Sequence, residues 1–211
     1  MARPRQTLLT RQRIVDAASA LVDAEGLEAL SMRRLATELG VQGPSLYNHF
    51  ATKADILDAV ADALISQVSL SAFDSEDWAS ALRSWARAYH AVLVAHPNVV
   101  PVLAHGPGRR PAALAMADVV YGALIDAGWP PARATHIGAL MRYLVTGSAL
   151  GSFALGFHID PALYESYPHL QAAPRLAEHH VAVDEGAFEL GLDLLINGLR
   201  LQKGLVDDVR A

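Results

Sequence analysis

The stretch SMRRLATELGVQGPSLYNHFATK, residues 31–53, decides how this chain is interpreted. It predicts two short helices joined by a tight turn, with Ser31 placed to cap the first helix and Pro44 placed to begin the second. The second helix is short, and its outward positions carry polar and aromatic side chains that would be poor material for a core. Framed by Arg33 and Lys53, such groups suit contact with DNA bases and phosphates. The outward residues are Ser45, Tyr47, Asn48 and His49.

The composition excludes several classes of protein. The chain has 211 residues, 52% of them hydrophobic and 18% charged, so it can build a large packed core. It contains no cysteine, which excludes a disulfide scaffold, thiolate catalysis and Cys-ligated zinc. The basic N-terminus has no apolar segment of the secretory kind, and the longest uncharged stretch, from Tyr143 to Ile159, is short for a membrane span. We therefore expect a cytoplasmic protein.

Charge is distributed unevenly along the chain. The net charge is −5 overall, but residues 1–53 carry seven basic and five acidic side chains, whereas residues 54–211 have a net charge of −7. A basic head on an acidic body predicts that a phosphate backbone would bind at the head. The arginines that precede the first acidic residue are Arg3, Arg5, Arg11 and Arg13.

Every long segment carries the apolar spacing of a helix, and no alternating strand pattern of useful length occurs. We predict an all-α fold of about nine to ten helices, with a three-helix helix-turn-helix head over residues 1–53 and a larger helical body over residues 71–211. A helix over residues 53–70 links the two. Thr52 and Asp55 form a capping box at its start.

The opening RQRIVDAASALVDAEGLEALSMRRLATELGV (residues 11–41) is followed by PSLYNHF (44–50) and TKADILDAV (52–60). Together these segments closely resemble the tetracycline-repressor (TetR) family of bacterial one-component regulators. Fainter similarity in RYLVTGSALGSFALG (142–156) and DEGAFELGLDLLINGL (184–199) points to the branch that contains the tetracycline repressors themselves.

This resemblance implies a ligand-responsive transcriptional regulator, most often a repressor that binds a palindromic operator as a homodimer and is released by a small molecule. It assigns ligand binding and dimerisation to residues 71–211, with helices near 131–157 and 184–203 pairing across a two-fold axis. Small residues on these helices suit close helix approach between subunits, but they suit packing within one subunit equally well. The small residues are Gly138, Gly147, Ser148, Gly151, Gly191 and Gly198.

The resemblance also assigns roles in DNA binding. The positions that would read bases are Arg33, Gln42, Gly43, Pro44, Ser45, Tyr47 and Asn48. The positions that would contact phosphates are Tyr47, His49 and Lys53. Gly43 has no side chain for base reading, so specificity is expected to depend on the other positions.

A ligand pocket is expected among large side chains of the central helices. Most such residues belong to the core, but methionine and aromatic clusters between helices also line adaptable cavities. The candidates are Trp85, Tyr89, His90, Leu93, His105, Met116, Tyr121, Met141 and Arg142. No cofactor is predicted apart from an unidentified small-molecule inducer. No metal site is predicted either, because the cluster around His179 and His180 is typical of a solvated polar loop.

Two other functions are weighed against this one. An enzyme is disfavoured because the chain has no G-x-S-x-G elbow, phosphate-binding loop, dinucleotide fingerprint or H-E-x-x-H motif. The second alternative is a transcriptional activator or a ligand-independent DNA-binding protein. The sign of regulation depends on where the operator lies relative to the promoter.

Overall fold

The structure is a computed structural model that describes residues 8–103 and 108–210. In this part of the chain it contains ten α-helices, a few short 3-10 turns and no strand, which confirms the predicted all-α fold. The helices are α1 (Arg11–Glu25), α2 (Met32–Leu39), α3 (Gly43–Tyr47), α4 (Lys53–Ile65), α5 (Trp78–Ala95), α6 (Val100–Leu103), α7 (Pro111–Asp126), α8 (Pro131–Ala149), α9 (Ala173–Glu178) and α10 (His180–Arg210). Of the helices described, none has both the length and the apolar character needed to cross a membrane.

The chain forms two compact units. The first unit comprises residues 1–67 and 96–115, and the second comprises residues 68–95 and 116–211. The sequence-based division assigns residues 96–115 to the body. In the structure they pack with the head instead, because α6 lies against α4 and the turn before α6 lies against α1.

Local capping signals fix the helices of the first unit. The Ser31 hydroxyl accepts a hydrogen bond from the Arg34 amide at 3.1 Å, and Gly40 ends α2 with a left-handed φ of 66°. Thr52 and Asp55 form the predicted capping box at the start of α4. The Thr52 amide donates to the Asp55 carboxylate at 2.8 Å, and the Asp55 amide donates to the Thr52 hydroxyl at 3.1 Å. The turn and both flanking helices therefore follow from the sequence.

A small apolar core holds α3 in place. Leu46 is fully buried and Phe50 is 2% exposed, so these two residues anchor the short helix as predicted. Leu39 and Val41, which were also expected in this core, are only half-buried. The fully buried partners from α1, α2 and α4 are Ile14, Ala18, Leu35, Val60 and Ala61.

The second unit is built on α5, which packs against α8 and α10. The helix predicted over 131–157 is wrong at its C-terminal end, because α8 ends at Ala149. Beyond that point the Phe153 amide donates to the Asp184 carboxylate at 3.2 Å, and the chain enters the 3-10 turn Ala154–Gly156. The final helix, α10, is longer than the predicted span of 184–203 at both ends.

Candidate DNA-binding surface and effector region

Helix α3 presents the predicted contact residues on a short, rigidly anchored segment. It has five residues, and Pro44 lies in its first turn. Tyr47 leaves 57% of its surface exposed although it follows the fully buried Leu46. Ser45 and His49 are half-buried. The exposed members of the predicted set in this segment are Gln42, Pro44, Tyr47 and Asn48.

The two flanking cations have different surroundings. Arg33 is exposed on α2. The Lys53 ammonium donates to the Leu27 backbone carbonyl at 2.8 Å and is half-buried. Since an ammonium has three donors, this bond leaves others for a phosphate, and the predicted phosphate contact stays a prediction.

A polar clamp that the sequence did not predict holds α4 to the segment before α7. The Asp62 carboxylate accepts hydrogen bonds from the Ala112 and Ala113 amides at 2.8 and 3.4 Å, which caps the start of α7. Arg110 is 8% exposed and donates to the Asp58 carboxylate at 3.0 Å. Its guanidinium also donates to the backbone carbonyl of Val102, again at 3.0 Å. One buried arginine therefore joins α4, α6 and the start of α7.

Arg110→Ala is expected to lower the free energy of unfolding by about 1.5–3 kcal/mol, because hydrogen bonds made by a buried charged group contribute that much. The neighbouring Arg109 is exposed and provides a matched control. Arg109→Ala should change stability by no more than about 0.5 kcal/mol. Urea denaturation of both variants measures the difference, and equal stabilities would contradict the clamp.

The predicted effector residues in the described part of the chain lie in the second unit, on α5, α7 and α8. Five of them are core residues with little exposure, and Tyr121 packs against Gly138 of α8. His90 and Arg142 are half-buried. His105 lies outside the described residues. The five core members are Trp85 (3% exposed), Tyr89 (1%), Leu93 (1%), Met116 (8%) and Met141 (0%).

Two buried nitrogen atoms of α5 have no hydrogen-bond partner among the described residues. These are Nε1 of Trp85, which can only donate, and Nε2 of His90. The His90 ring stacks on Phe188 of α10, with ring centroids 3.8 Å apart and an interplanar angle of 7°. Burial lowers the pKa of His90, and the carboxylates of Glu189 and Glu185 oppose this shift only in part. His90 is therefore a neutral, aromatic residue at neutral pH.

The lowered pKa of His90 predicts a loss of stability in mild acid. Because the unfolded chain takes up this proton near the ordinary pKa of about 6.5 and the folded chain resists it, stability falls as the pH drops through that value. His90→Phe keeps the ring stacked on Phe188 and should reduce the loss of melting temperature between about pH 7.5 and 5.5. The exposed His169, changed to Gln, is the control that should keep the full loss.

Ion pairs tie α5 to α10 within the second unit. The Arg87 guanidinium donates twice to the Glu189 carboxylate, at 2.8 and 2.6 Å, and this hydrogen bonding holds the pKa of Glu189 below its ordinary value. One turn earlier on α5, Arg83 pairs with Asp193. These pairs are half-exposed, so their contribution is to alignment of the two helices more than to stability.

The histidine pair considered for metal binding has ordinary partners. His179 Nδ1 lies 3.0 Å from the Arg175 carbonyl, and His180 Nδ1 lies 3.1 Å from the Ala177 carbonyl. Within residues 8–103 and 108–210, no three His, Asp or Glu side chains come together as a metal site would require.

Two family descriptions match this chain along most of its length. "Bacterial regulatory proteins, tetR family" matches residues 14–60, and "Tetracyclin repressor-like, C-terminal domain" matches residues 72–202. An HTH-type transcriptional regulator of Saccharopolyspora erythraea is 33% identical over 94% of this chain and 87% of its own length. The tetracycline repressor protein class C of Escherichia coli is 32% identical over 95% of each chain.

Solved structures agree with these sequence matches. The ActR protein of Streptomyces coelicolor, without ligand, is 29% identical and superposes with a TM-score of 0.75 over 98% of this chain and 100% of its own. The same protein in complex with actinorhodin gives a TM-score of 0.73, at 29% identity, over 94% of this chain and 100% of its own. Sequence and fold therefore agree, and this chain belongs to the tetR family of bacterial regulatory proteins.

Proposed function

We propose that this protein is a homodimeric transcriptional repressor that binds a near-palindromic DNA operator and leaves it when a small molecule binds. The observation that carries the proposal is the geometry of α3. A short helix presents an aromatic side chain and amides to solvent, and two buried anchors and two capped neighbours hold it rigidly. A recognition helix requires this combination, because its contacts must be held in register in the major groove.

We assign base reading to the exposed side of α2 and α3, and phosphate contacts to the end of α3 and the start of α4. Gly43 offers no side chain, and a Cβ there would meet no atom within 4 Å, so this position is open to an approaching base. The proposed base-reading residues are Arg33, Gln42, Gly43, Pro44, Ser45, Tyr47 and Asn48. The proposed phosphate contacts are Tyr47, His49 and Lys53.

We assign dimerisation to α8 and α10, which carry apolar side chains that no other part of the described chain covers. On α10 they recur at helical spacing along one side, and between the two helices lies a shallow groove of about 200 Å³ that Ile137, Leu140 and Leu194 help to line. A second copy of this chain would cover both stripes in a two-fold arrangement. The exposed residues are Leu140 (47%), Tyr143 (68%) and Leu150 (56%) on α8, and Leu190 (62%), Leu194 (66%), Leu201 (74%) and Leu205 (67%) on α10.

The small residues of α8 and α10 divide between the two roles left open by the sequence. A side chain at Gly138 would collide with Tyr121, and one at Gly191 would press on Leu144 at 3.0 Å, so these two glycines serve packing within the subunit. A Cβ at Gly147, Gly151 or Gly198 would meet nothing within 4 Å. These three support a close approach of the second copy.

For the effector we propose a fused-ring aromatic compound that carries hydrogen-bond acceptors. ActR is seen in complex with actinorhodin, and a tetracycline repressor of Acinetobacter baumannii, 26% identical to this chain, is seen in complex with minocycline. In this chain the unpartnered Nε1 of Trp85 offers a buried donor, and the neighbouring aromatic side chains offer surfaces for stacking. No other cofactor is proposed.

Release requires that the effector bind the DNA-free state more tightly than the DNA-bound state, because only a difference in affinity shifts the equilibrium. Operator half-sites lie about one helical turn apart, so a small change in the separation of two heads prevents both from binding. This mechanism places the protein in the cytoplasm with the DNA, and it assigns no catalytic role to the chain.

Selection of DNA fragments by the purified protein, followed by titration of operator release with fused-ring aromatic compounds, tests the proposal. The expected result is a near-palindromic duplex that the protein releases when one compound is added. Failure to select any duplex would refute DNA regulation. Selection of a duplex that no compound releases would favour a ligand-independent DNA-binding protein, and stimulation of transcription by the bound protein would favour an activator.

A further inference from the structure

Arg11, the first residue of α1, contacts the end of the recognition helix. Its guanidinium donates to the backbone carbonyl of His49 and lies over the Phe50 ring, 3.9 Å from the ring centroid. In the described part of the chain, no carboxylate lies within ion-pair distance of this guanidinium, although the groove beside it also contains Asp55 and Asp58 of α4. The side chain is therefore directed at the α3 segment and not at the neighbouring acids.

The end of α3 needs such a contact. After Tyr47 the chain turns back, and the Leu46 carbonyl accepts hydrogen bonds from the His49 and Phe50 amides at 2.9 and 3.0 Å. The His49 carbonyl lies beyond this last turn and takes the Arg11 donor. A helix of five residues has little intrinsic stability, so contacts from other helices determine its orientation. The Phe50 ring, which is buried on its other side, gives the guanidinium a fixed platform.

We propose that Arg11 is a positioning residue for sequence-specific DNA binding: it fixes the end of α3 so that Tyr47 and Asn48 meet the bases in register. This inference rests on the proposed function. It differs from the expectation drawn from charge alone, in which the N-terminal arginines attract the phosphate backbone. A positioning residue acts on the cognate sequence, whereas a phosphate contact acts on every sequence equally.

Salt dependence distinguishes the two roles. Removing a phosphate contact weakens binding to all sequences and reduces the slope of log K against log salt by about 1. Removing a positioning residue weakens cognate binding only and leaves the slope close to that of the wild type. The test therefore measures affinity between about 50 and 200 mM salt for two duplexes, one selected by the wild-type protein and one with the same bases shuffled.

Arg11→Gln is expected to weaken binding of the selected duplex by roughly tenfold, about 1.4 kcal/mol, with little change for the shuffled duplex. Arg11→Lys keeps the charge but not the planar group that lies over Phe50, so its affinity should fall between those of Arg11→Gln and the wild type. The control is Arg34→Gln. It removes the same charge from the head at a residue paired with Glu25 and Glu38, and it calibrates the effect of charge alone.

The outcomes separate this inference from the proposed function. If the wild-type protein selects no duplex, the proposed function fails. If it selects one, but Arg11→Gln weakens both duplexes equally with a smaller salt slope, or leaves selected binding unchanged, only the positioning role fails. Melting temperatures show whether each variant folds, and Arg11→Lys decides the question if Arg11→Gln does not fold.

Discussion

Tyr47→Ala is expected to weaken binding of the selected operator by about 10- to 100-fold, which corresponds to about 1–3 kcal/mol for the loss of one specific contact. The ring leaves 57% of its surface exposed on a helix whose apolar side is already filled by Leu46 and Phe50. Because the ring contributes little to the core, its removal should leave the fold and the dimer intact. Gel-shift titration measures the affinity, and sedimentation equilibrium measures the molar mass.

Tyr167 supplies a matched control for this experiment. It is 56% exposed in the second unit, so Tyr167→Ala removes an equally exposed ring far along the chain from α3. Operator affinity should be unchanged in that variant. Equal affinities for Tyr47→Ala and the wild type would remove Tyr47 from the recognition surface, and a dissociated Tyr47→Ala dimer would show that the loss is indirect.

Features of the head could be predicted because they depend on neighbours within a few residues. A capping box needs only Thr52 and Asp55, and the end of α2 needs only a glycine at position 40 that tolerates positive φ. The apolar spacing similarly identifies Leu46 and Phe50 as anchors. The predicted assignment of helices in this region is therefore confirmed nearly residue by residue.

Contacts between distant residues could not be predicted in the same way. Nothing in the local sequence pairs Arg110 with Asp58, or directs Arg11 to the carbonyl of His49, because a charge count does not say which partner a guanidinium will meet. The one available signal was the recurrence of Asp58 and Asp62 four residues apart on one side of α4. That spacing indicates a shared partner without identifying it.

The end of α8 shows a different limit. An uncharged, apolar stretch continues to Phe157, so the helical pattern gives no reason to stop at Ala149. The chain turns there because Asp184, far along the sequence, accepts the Phe153 amide. A tertiary hydrogen bond of this kind overrides local helix propensity.

Leu194→Glu is expected to produce the largest effect on assembly, raising the dissociation constant of the dimer by at least about a thousandfold, or about 4 kcal/mol. Leu194 is 66% exposed in the middle of the apolar stripe on α10 and lines the groove beside Leu140. In a two-fold dimer one substitution places two carboxylates in the same apolar interface, and each would lose its hydration without gaining a partner. Sedimentation equilibrium should therefore find a monomer.

Operator affinity should fall together with the dimer, because a single head contacts only one half-site. Leu114 on α7 is 48% exposed and lies outside the α8 and α10 stripes, so Leu114→Glu adds the same charge as a control and should leave the dimer intact. A Leu194→Glu protein that remains a dimer with wild-type operator affinity would place the interface elsewhere. If Leu194→Glu and Leu114→Glu both dissociate, added charge alone is responsible, and the stripe on α10 loses its assigned role.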